Sequence, residues 1–293
     1  MMNLWDPKTV RQVMAMFGIG FRKEFGQNFL TDPSIIEDIA AACSENPDCT
    51  VLEIGPGIGT LTQVLASQYR QVKALEIDKS LIPVLKYTLG DYPNATVYNE
   101  DVMQADLNAI LGEDFASGKV SVCANLPYYI TTPILMKLLE SRLPFDGITV
   151  MVQEEVADRL AAKAGSKAYG AITAVLGYYG QAEKIIQVPA DRFVPAPKVN
   201  SAVIRIKLWE EKPYVPKSED LFFRTVKAAF GQRRKTLANA LGTGFPELGK
   251  EEINGVIERI GQDSMVRGER LSTEQFVQLS DALLDAIEAK KKA

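Results

Sequence analysis

The sequence predicts an α/β domain followed by a small all-α domain, and three observations lead to this prediction. Strand-like and helix-like segments alternate over most of the chain, which is typical of a parallel sheet covered on both faces. Residues 184–188 and 201–208 are β-rich with only loop between them, which predicts an antiparallel pair at the sheet edge. After a proline-containing linker at 210–217, every segment is helix-like. We therefore expect an α/β domain at residues 1–212 and a helical domain at residues 213–293.

The elements follow one another in a regular order along the chain. Short apolar runs predict strands at 51–54, 72–77, 120–124 and 148–153. Helical spacing predicts a helix after each strand, at 61–65, 80–89, 133–139 and 154–164. In the C-terminal part, Ser218 can cap a helix at 221–230, and apolar residues share one face of a helix at 251–260. Ser272 and Gln275 predict a capping box before a helix at 276–287.

The composition is that of a folded protein without histidine. Of the 293 residues, 46% are hydrophobic and 24% are charged, which is too apolar for a disordered chain. No apolar run approaches the ~18 residues of a membrane span. The lack of histidine excludes serine–histidine and cysteine–histidine catalysis and most catalytic zinc sites, and we expect no metal. Three cysteines without a CxxC pair indicate reduced thiols and a cytoplasmic protein.

The positive charges are concentrated in two segments, although the net charge is −4. Residues 192–207 and 224–239 each carry several lysines or arginines, and acidic residues are absent from both segments. Such local patches decide whether a phosphate backbone can dock. The alternative is a solvated helix face, which is the commoner meaning of a charge run.

A glycine-rich turn follows the first predicted strand. Residues 53–59 have the pattern ExGxGxG, which permits a sharp turn and close approach of a ligand to the backbone. The pattern departs from the dinucleotide fingerprint and from the P-loop, and it suits a nucleoside with an amino-acid tail better than a pyrophosphate. Glu76 ends the next strand, where a carboxylate can accept bonds from ribose hydroxyls. Asp101 lies where the third strand should end and could accept from an adenine amino group.

The segment Asn125-Leu126-Pro127-Tyr128-Tyr129 follows the strand predicted at 120–124. The carboxyl ends of such strands are where open α/β sheets bind ligands. An asparagine oxygen and a fixed backbone carbonyl can together accept both hydrogens of an exocyclic amine, and Tyr128 can stack on a flat base. The alternative is a proline turn followed by buried aromatic residues.

Taken together, these motifs resemble class I S-adenosylmethionine-dependent adenine methyltransferases. Three further segments narrow the resemblance to the bacterial small-subunit (16S) rRNA adenine dimethyltransferase family: residues 25–30 (FGQNFL), 193–201 (FVPAPKVNS) and 229–235 (AFGQRRK). The resemblance extends from about residue 10 to residue 285. It implies a Rossmann-like methyltransferase sheet, S-adenosylmethionine as cofactor, and transfer of two methyl groups to each of two adjacent adenosines. The implied substrate is a hairpin loop near the 3′ end of 16S rRNA in the 30S subunit or its precursor.

The resemblance also implies roles for individual residues. The family pattern places one group at the target adenine: Asn125, Leu126, Pro127, Tyr128 and Phe193. A second group would bind the cofactor: Asn28, Leu30, Gly55, Gly57, Glu76, Asp101 and Asn125. The basic residues expected to contact RNA are Arg22, Lys23, Lys198, Arg233, Arg234 and Lys235. For Arg233 and Arg234 the alternative is an internal ion pair that braces the two domains.

Two other functions stay open at this stage. The same chemistry could act on large-subunit rRNA, although the FGQNFL segment and the long helical C-terminus favour the small subunit. From a different class, the chain could be an RNA-binding assembly factor without catalysis, which the intact cofactor motif disfavours. We expect a monomer, because no long apolar stripe is left over.

Overall fold

A computed structural model describes residues 2–20, 28–232 and 234–292 of the chain. The predictions for Arg22, Lys23 and Arg233, and for the first part of the FGQNFL segment, lie outside the described residues. The chain divides into two compact units: Met1–Ala157 with Glu183–Leu208, and Asp158–Ala182 with Trp209–Ala293. Across the described ranges, no helix is both long and apolar enough to cross a membrane.

A seven-stranded sheet organises the first unit. The strands of the described residues are β1 (Phe29–Leu30), β2 (Thr50–Ile54), β3 (Gln71–Leu75), β4 (Ala95–Tyr98), β5 (Val120–Asn125), β6 (Phe145–Gln153), β7 (Gly180–Val188), β8 (Phe193–Val194) and β9 (Ser201–Leu208). The sheet order is β4-β3-β2-β5-β6-β9-β7, while β1 and β8 form a separate antiparallel pair. The pairs from β4 to β6 are parallel, and β9 runs antiparallel to β6. The predicted parallel sheet with an antiparallel edge is therefore confirmed.

Seven α-helices of the described residues accompany these strands: α1 (Pro7–Met16), α2 (Pro33–Ala41), α3 (Thr60–Gln68), α4 (Ile82–Thr88), α5 (Leu107–Ser117), α6 (Thr131–Glu140) and α7 (Glu154–Leu160). Among them, α3, α4, α5 and α6 connect the parallel strands β2 to β6, as a parallel sheet requires. The sequence patterns described above do not predict α1, α2 or α5, yet each has a clear N-terminal cap. Asp6, Asp32 and Asp106 accept hydrogen bonds from the first free backbone N–H groups of these helices. In α1 and α2 a proline follows the cap, where its fixed φ suits the first turn.

Two apolar clusters pack on one face of the sheet in the first unit. Ala95 packs against both of them and lies beside Val72 in the parallel register. One apolar cluster joins α2 and α3 to the central strands and includes Ile36, Ile39, Leu65, Val51 and Val72, all at most 1% exposed. On the other side of the glycine turn, α1 and α4 pack around Ile58 and Phe29. The turn after β2 is thereby held from both sides by buried apolar side chains.

The second unit is built from helices α8 (Ala171–Tyr179), α9 (Glu219–Gly231), α10 (Leu237–Gly244), α11 (Lys250–Arg259) and α12 (Thr273–Lys292). Ser218 accepts from the Leu221 N–H at the start of α9. Ser272 and Gln275 bond reciprocally ahead of α12, as the capping-box pattern predicts.

Residues 158–182 belong to this helical unit, whereas the boundary expected at residue 212 places them in the α/β domain. Helix α8 packs closely there: a Cβ on Gly177 would lie 2.3 Å from the Thr273 hydroxyl oxygen. The Tyr178 ring lies 5.1 Å from that of Phe222, centroid to centroid. The compact unit thus takes in a segment from earlier in the chain, which a search for one linker does not find, and the boundary at residue 212 stays a prediction.

Candidate active site

The glycine turn joins β2 to α3 and leaves its backbone accessible at the carboxyl end of the sheet. Gly57 has φ 61°, in the left-handed region that side chains rarely adopt. A Cβ at this position would lie 2.9 Å from Cε1 of Phe29. Both conformation and space therefore require glycine, and the turn brings backbone atoms instead of side chains to the cavity, while the N–H groups of Gly55, Gly57 and Gly59 bond within the protein.

Glu76 follows β3 and is held by backbone donors. The Gly57 N–H donates to its Oε2 at 3.1 Å, and the Asp78 N–H donates to its Oε1 at 2.8 Å. The residue is only 4% exposed. Burial raises the pKa of Glu76 to about 7, against the opposing effect of the two backbone donors. Each carboxylate oxygen has two lone pairs, so Glu76 keeps acceptor capacity toward a ligand.

A second buried carboxyl group lies beside it. Glu53, within β2, is 1% exposed, and its Oε2 atom has no hydrogen-bond partner among the described residues. Burial raises the pKa of Glu53 to about 8, and the nearby Glu76 carboxylate adds to this shift. Buried carboxyl oxygens normally accept a hydrogen bond, and among the described residues the Thr62 hydroxyl is the group close enough to lower the pKa of Glu53.

The turn after β5 is organised by the asparagine side chain and the proline. The Asn125 Nδ2 group donates to the Asn28 carbonyl at 3.3 Å, so its Oδ1 atom faces the other way. The Leu126 N–H donates to the Met151 carbonyl at 3.1 Å. Within the described part of the chain, no hydrogen bond is made to the Asn125 Oδ1 or to the Leu126 carbonyl oxygen. Two acceptors are therefore left available at one turn.

The two tyrosines of this segment have different surroundings. The Tyr128 hydroxyl and the Ser201 hydroxyl are 2.6 Å apart and hydrogen-bonded, and the Tyr128 ring is half-buried. Burial raises the pKa of the Tyr128 phenol. Tyr129 is 62% exposed. The Tyr128 ring is thus anchored at its far end by Ser201.

One cavity brings these groups together. Its wall contains the glycine turn, both buried carboxyl groups and the turn after β5. It includes nine residues that the sequence predicts for the site: Asn28, Leu30, Gly55, Gly57, Glu76, Asn125, Leu126, Pro127 and Tyr128.

Asp101 and Phe193 are not part of this cavity wall. The Asp101 carboxylate accepts from the Met103 N–H at 2.9 Å and from the Gln104 side chain at 3.3 Å, so it organises its own loop. Phe193 is 3% exposed, pairs with Leu30 in the β1–β8 ladder and packs into the apolar core. The strand pairing turns Phe193 toward the core, which the motif alone does not reveal.

The basic segments are partly neutralised by acids from elsewhere in the chain. Arg192 pairs with Asp32 at 3.1 Å, and Arg205 with Glu45 at 3.6 Å. The Arg224 guanidinium donates to the Gly244 carbonyl. Three predicted RNA-binding residues are exposed, and the described residues form no ion pair with them: Lys198, Arg234 and Lys235. In the described ranges, no group of three or more metal-ligating side chains is present.

Sequence reasoning missed two residues of this site. Glu53 is part of the ExGxGxG pattern, and its signal was a charged residue inside an otherwise apolar strand. Ser201 ends the FVPAPKVNS segment, but its contact with Tyr128 joins positions 73 residues apart. Only the folded sheet shows that contact.

The sheet order, the glycine turn after β2 and the acid after β3 define a Rossmann-like fold of the class I methyltransferase type. Residues 18–285 match the model of the ribosomal RNA adenine dimethylase family, and the chain belongs to this family. The family resemblance inferred from the sequence is thereby confirmed.

Individual relatives agree with this assignment. The chain is 47% identical to the ribosomal RNA small subunit methyltransferase A of Lachnoclostridium phytofermentans, over 97% of this chain and 98% of that protein. It is 46% identical to the protein of the same name from Geobacillus thermodenitrificans, over 96% and 97% of the two chains. Among solved structures, a dimethyladenosine transferase from Plasmodium falciparum matches with a TM-score of 0.73 and 25% identity, covering 90% of this chain and 98% of that one. The 23S rRNA methyltransferase ErmE matches with a TM-score of 0.69 and 26% identity, covering 87% and 99%.

Proposed function

We propose that this protein transfers methyl groups from S-adenosylmethionine to two adjacent adenosines in a hairpin loop near the 3′ end of 16S rRNA, during maturation of the 30S subunit. The observation that carries the proposal is a single cavity that joins the glycine turn and Glu76 to the Asn125–Tyr128 turn. The choice of the small subunit rests on relatives of that name at 46–47% identity, compared with 26% for the 23S rRNA enzyme. Such an enzyme works in the cytoplasm, and we expect it to act as a monomer.

The residues on one side of the cavity suit S-adenosylmethionine. The Glu76 carboxylate has acceptor positions left for ribose hydroxyl donors. The unpartnered Glu53 Oε2 is suited to a cationic donor, and the cofactor carries an ammonium group. When bound, S-adenosylmethionine supplies an electrophilic sulfonium methyl group. A cation at Glu53 favours the ionised carboxylate, so we expect binding near pH 7 to release a proton.

The other side of the cavity suits an adenine. The adenine amino lone pair is delocalised into the ring, which makes it a poor nucleophile. Hydrogen bonds from the amino group to the Asn125 Oδ1 and the Leu126 carbonyl would localise the lone pair and align it. The same two acceptors stabilise the positive charge that develops on the nitrogen, and the Tyr128 ring supports the base. The methylated nitrogen is acidic, so a chain without histidine can complete the reaction.

The target base must leave its stack to reach this cavity, which costs a few kcal/mol and least in a loop. Loop RNA also displays unstacked bases, which proteins can read. Dimethylation adds a requirement, because the cavity must accept an amine that already carries one methyl group. Asn125 and Leu126 then share a single remaining amino hydrogen.

The exposed cations provide candidate RNA contacts outside the cavity. We assign this role to Lys198, Arg234 and Lys235, together with Arg22, Lys23 and Arg233. Changing Arg233 and Arg234 to Glu should weaken 30S binding and reduce the slope of its salt dependence by about 0.7–0.9 for each phosphate that the protein no longer neutralises. Cofactor affinity and the melting temperature should stay unchanged. Normal RNA binding with early melting would instead support the internal brace.

The proposed function is tested on purified subunits. The protein and S-adenosylmethionine are incubated with 30S particles that lack the modification, and the RNA is digested and analysed by mass spectrometry. We expect dimethyladenosine at two adjacent positions near the 3′ end of 16S rRNA, and unmodified RNA from 50S particles treated in parallel. Methylation of 50S RNA alone would support the large-subunit function. Tight 30S binding without methyl transfer would indicate an assembly factor.

A further inference from the structure

The Tyr128 ring is fixed by a serine that no motif assigns to the site. Ser201 is the first residue of β9, is fully buried, and lies opposite Gln153 in the antiparallel ladder with β6. Next to it, the Glu154 N–H donates to the Asn200 carbonyl at 3.0 Å. The backbone around Ser201 is therefore held by the sheet, and its hydroxyl is a fixed point.

A tyrosine ring that stacks on a base must be held in one plane. The Pro127 ring restricts the backbone before Tyr128, but it leaves the side-chain torsions of Tyr128 free. The 2.6 Å hydrogen bond to Ser201 fixes the far end of the ring, which sets those torsions. The neighbouring Tyr129 is 62% exposed, and the residues that the structure describes give its hydroxyl no such anchor.

We infer that Ser201 is a positioning residue for methyl transfer: its buried hydroxyl holds the Tyr128 ring in the orientation that stacks on the target adenine. The inference rests on the function proposed above and adds a residue to it. In this arrangement the Tyr128 hydroxyl bonds to the Ser201 hydroxyl, so Tyr128 supports the base through the face of its ring alone. The pair Tyr128–Ser201 should therefore behave as one unit.

The test is a double-mutant cycle on the full chain with 30S particles as substrate. Ser201→Ala and Tyr128→Phe each remove one end of the same bond. We expect each to lower the single-turnover methylation rate about three- to tenfold, the worth of one hydrogen bond. The double variant should be no slower than either single variant, because both substitutions remove the same bond. Cofactor affinity and 30S affinity should stay unchanged.

A direct readout uses 30S particles whose 16S rRNA carries 5-iodouridine at the target position. Photocrosslinking of this base to an aromatic side chain depends on stacking, and peptide mapping identifies the side chain. The wild-type protein should crosslink at Tyr128. Ser201→Ala should reduce this yield about three- to tenfold, and Ser201→Thr, which keeps a hydroxyl, should restore both yield and rate.

Ser121→Ala is the matched control, because Ser121 is also a fully buried strand serine in the same sheet but does not contact Tyr128. A similar rate loss in this control, or additive losses in the cycle, would overturn the inference in favour of general packing. So would a Ser201→Ala protein with normal rate and crosslinking. If Ser201→Ala does not fold, Tyr128→Phe decides: an unchanged rate and crosslink overturn the inference. If the wild-type protein neither methylates nor crosslinks, the proposed function itself fails.

Discussion

The two sides of the cavity are built by different means. The side formed by the turn after β2 uses backbone atoms and two buried carboxyl groups, and Glu76 is already held by two backbone donors. The side formed by the turn after β5 uses acceptors and rings, and its anchors come from distant segments at Asn28 and Ser201. A preorganised backbone turn can bind a small ligand before RNA arrives. The base side depends on single side-chain bonds, so we expect single substitutions there to affect the rate rather than cofactor binding.

The sharpest test of this contrast is Asn125→Ala. Removing one of two acceptors at the reacting nitrogen should lower the methylation rate about 100- to 1000-fold, because such dipoles act on charge that develops in the transition state. RNA affinity should be nearly unchanged, since phosphate contacts supply most of it. Single-turnover kinetics on 30S particles measure the effect. Asn125→Asp keeps an acceptor oxygen and serves as the control, and near-normal turnover of Asn125→Ala would refute the alignment mechanism.

On the opposite side, Glu76→Ala should weaken S-adenosylmethionine binding while RNA binding stays nearly intact. Loss of charge-assisted hydrogen bonds is expected to cost about 1.5–3 kcal/mol. Calorimetry with the cofactor measures this change. Glu100→Ala, which removes an exposed carboxylate, is the control. Unchanged cofactor affinity in Glu76→Ala would remove Glu76 from the site.

Tyr128→Ala should weaken placement of the target base by about 1–3 kcal/mol, the usual worth of one base–aromatic stack. Cofactor affinity should not change, because the ring belongs to the base side. The rate at limiting 30S concentration measures the loss. Tyr87→Ala removes a ring that is 48% exposed and outside the cavity wall, and it should have no effect. Equal losses in both variants would contradict a specific stack at Tyr128.

The smallest effect concerns stability and pH. The pKa of Glu53 is raised from 4.5 to about 8 by burial, so between these values the folded protein keeps a proton that the unfolded chain has released. The free energy of unfolding should therefore fall as pH rises through this range, by at most about 1.4 kcal/mol per pH unit. Glu53→Gln should flatten that decline in denaturant titrations between pH 6 and 9. Glu113→Gln replaces an exposed side chain on α5 and should keep the wild-type slope of unfolding free energy against pH. An unchanged slope in Glu53→Gln would show that Glu53 is ionised in the folded protein.

Features of the fold that have local causes could be predicted from the sequence. The turn after β2 was predicted because glycine is required by its conformation, and Gly57 shows this requirement. The turn after β5 was predicted because an asparagine, a proline and tyrosines follow an apolar strand. The caps at Ser218 and Ser272 were predicted for the same reason, since each depends on residues three positions apart.

Features that depend on distant contacts could not be predicted. The burial of Glu53 depends on the strands on either side of β2, and the bond from Ser201 to Tyr128 depends on β9 entering the sheet beside β6. Phe193 has the residue type of a base-stacking group, yet its pairing with Leu30 directs it into the core. The segment 158–182 packs with helices that follow it by more than 40 positions. In each case the deciding partner is far away in sequence.

The buried carboxyl pair gives this protein an unusually simple spectroscopic window. Glu53 and Glu76 have pKa values raised to about 8 and about 7, and the chain has no histidine to titrate in the same range. The carbon-13 resonances of these two side-chain carboxyl groups are therefore expected to move between pH 6 and 9. Glutamate-selective isotope labelling would turn the pair into a built-in reporter, whose resonances follow events at the cavity wall without any attached dye.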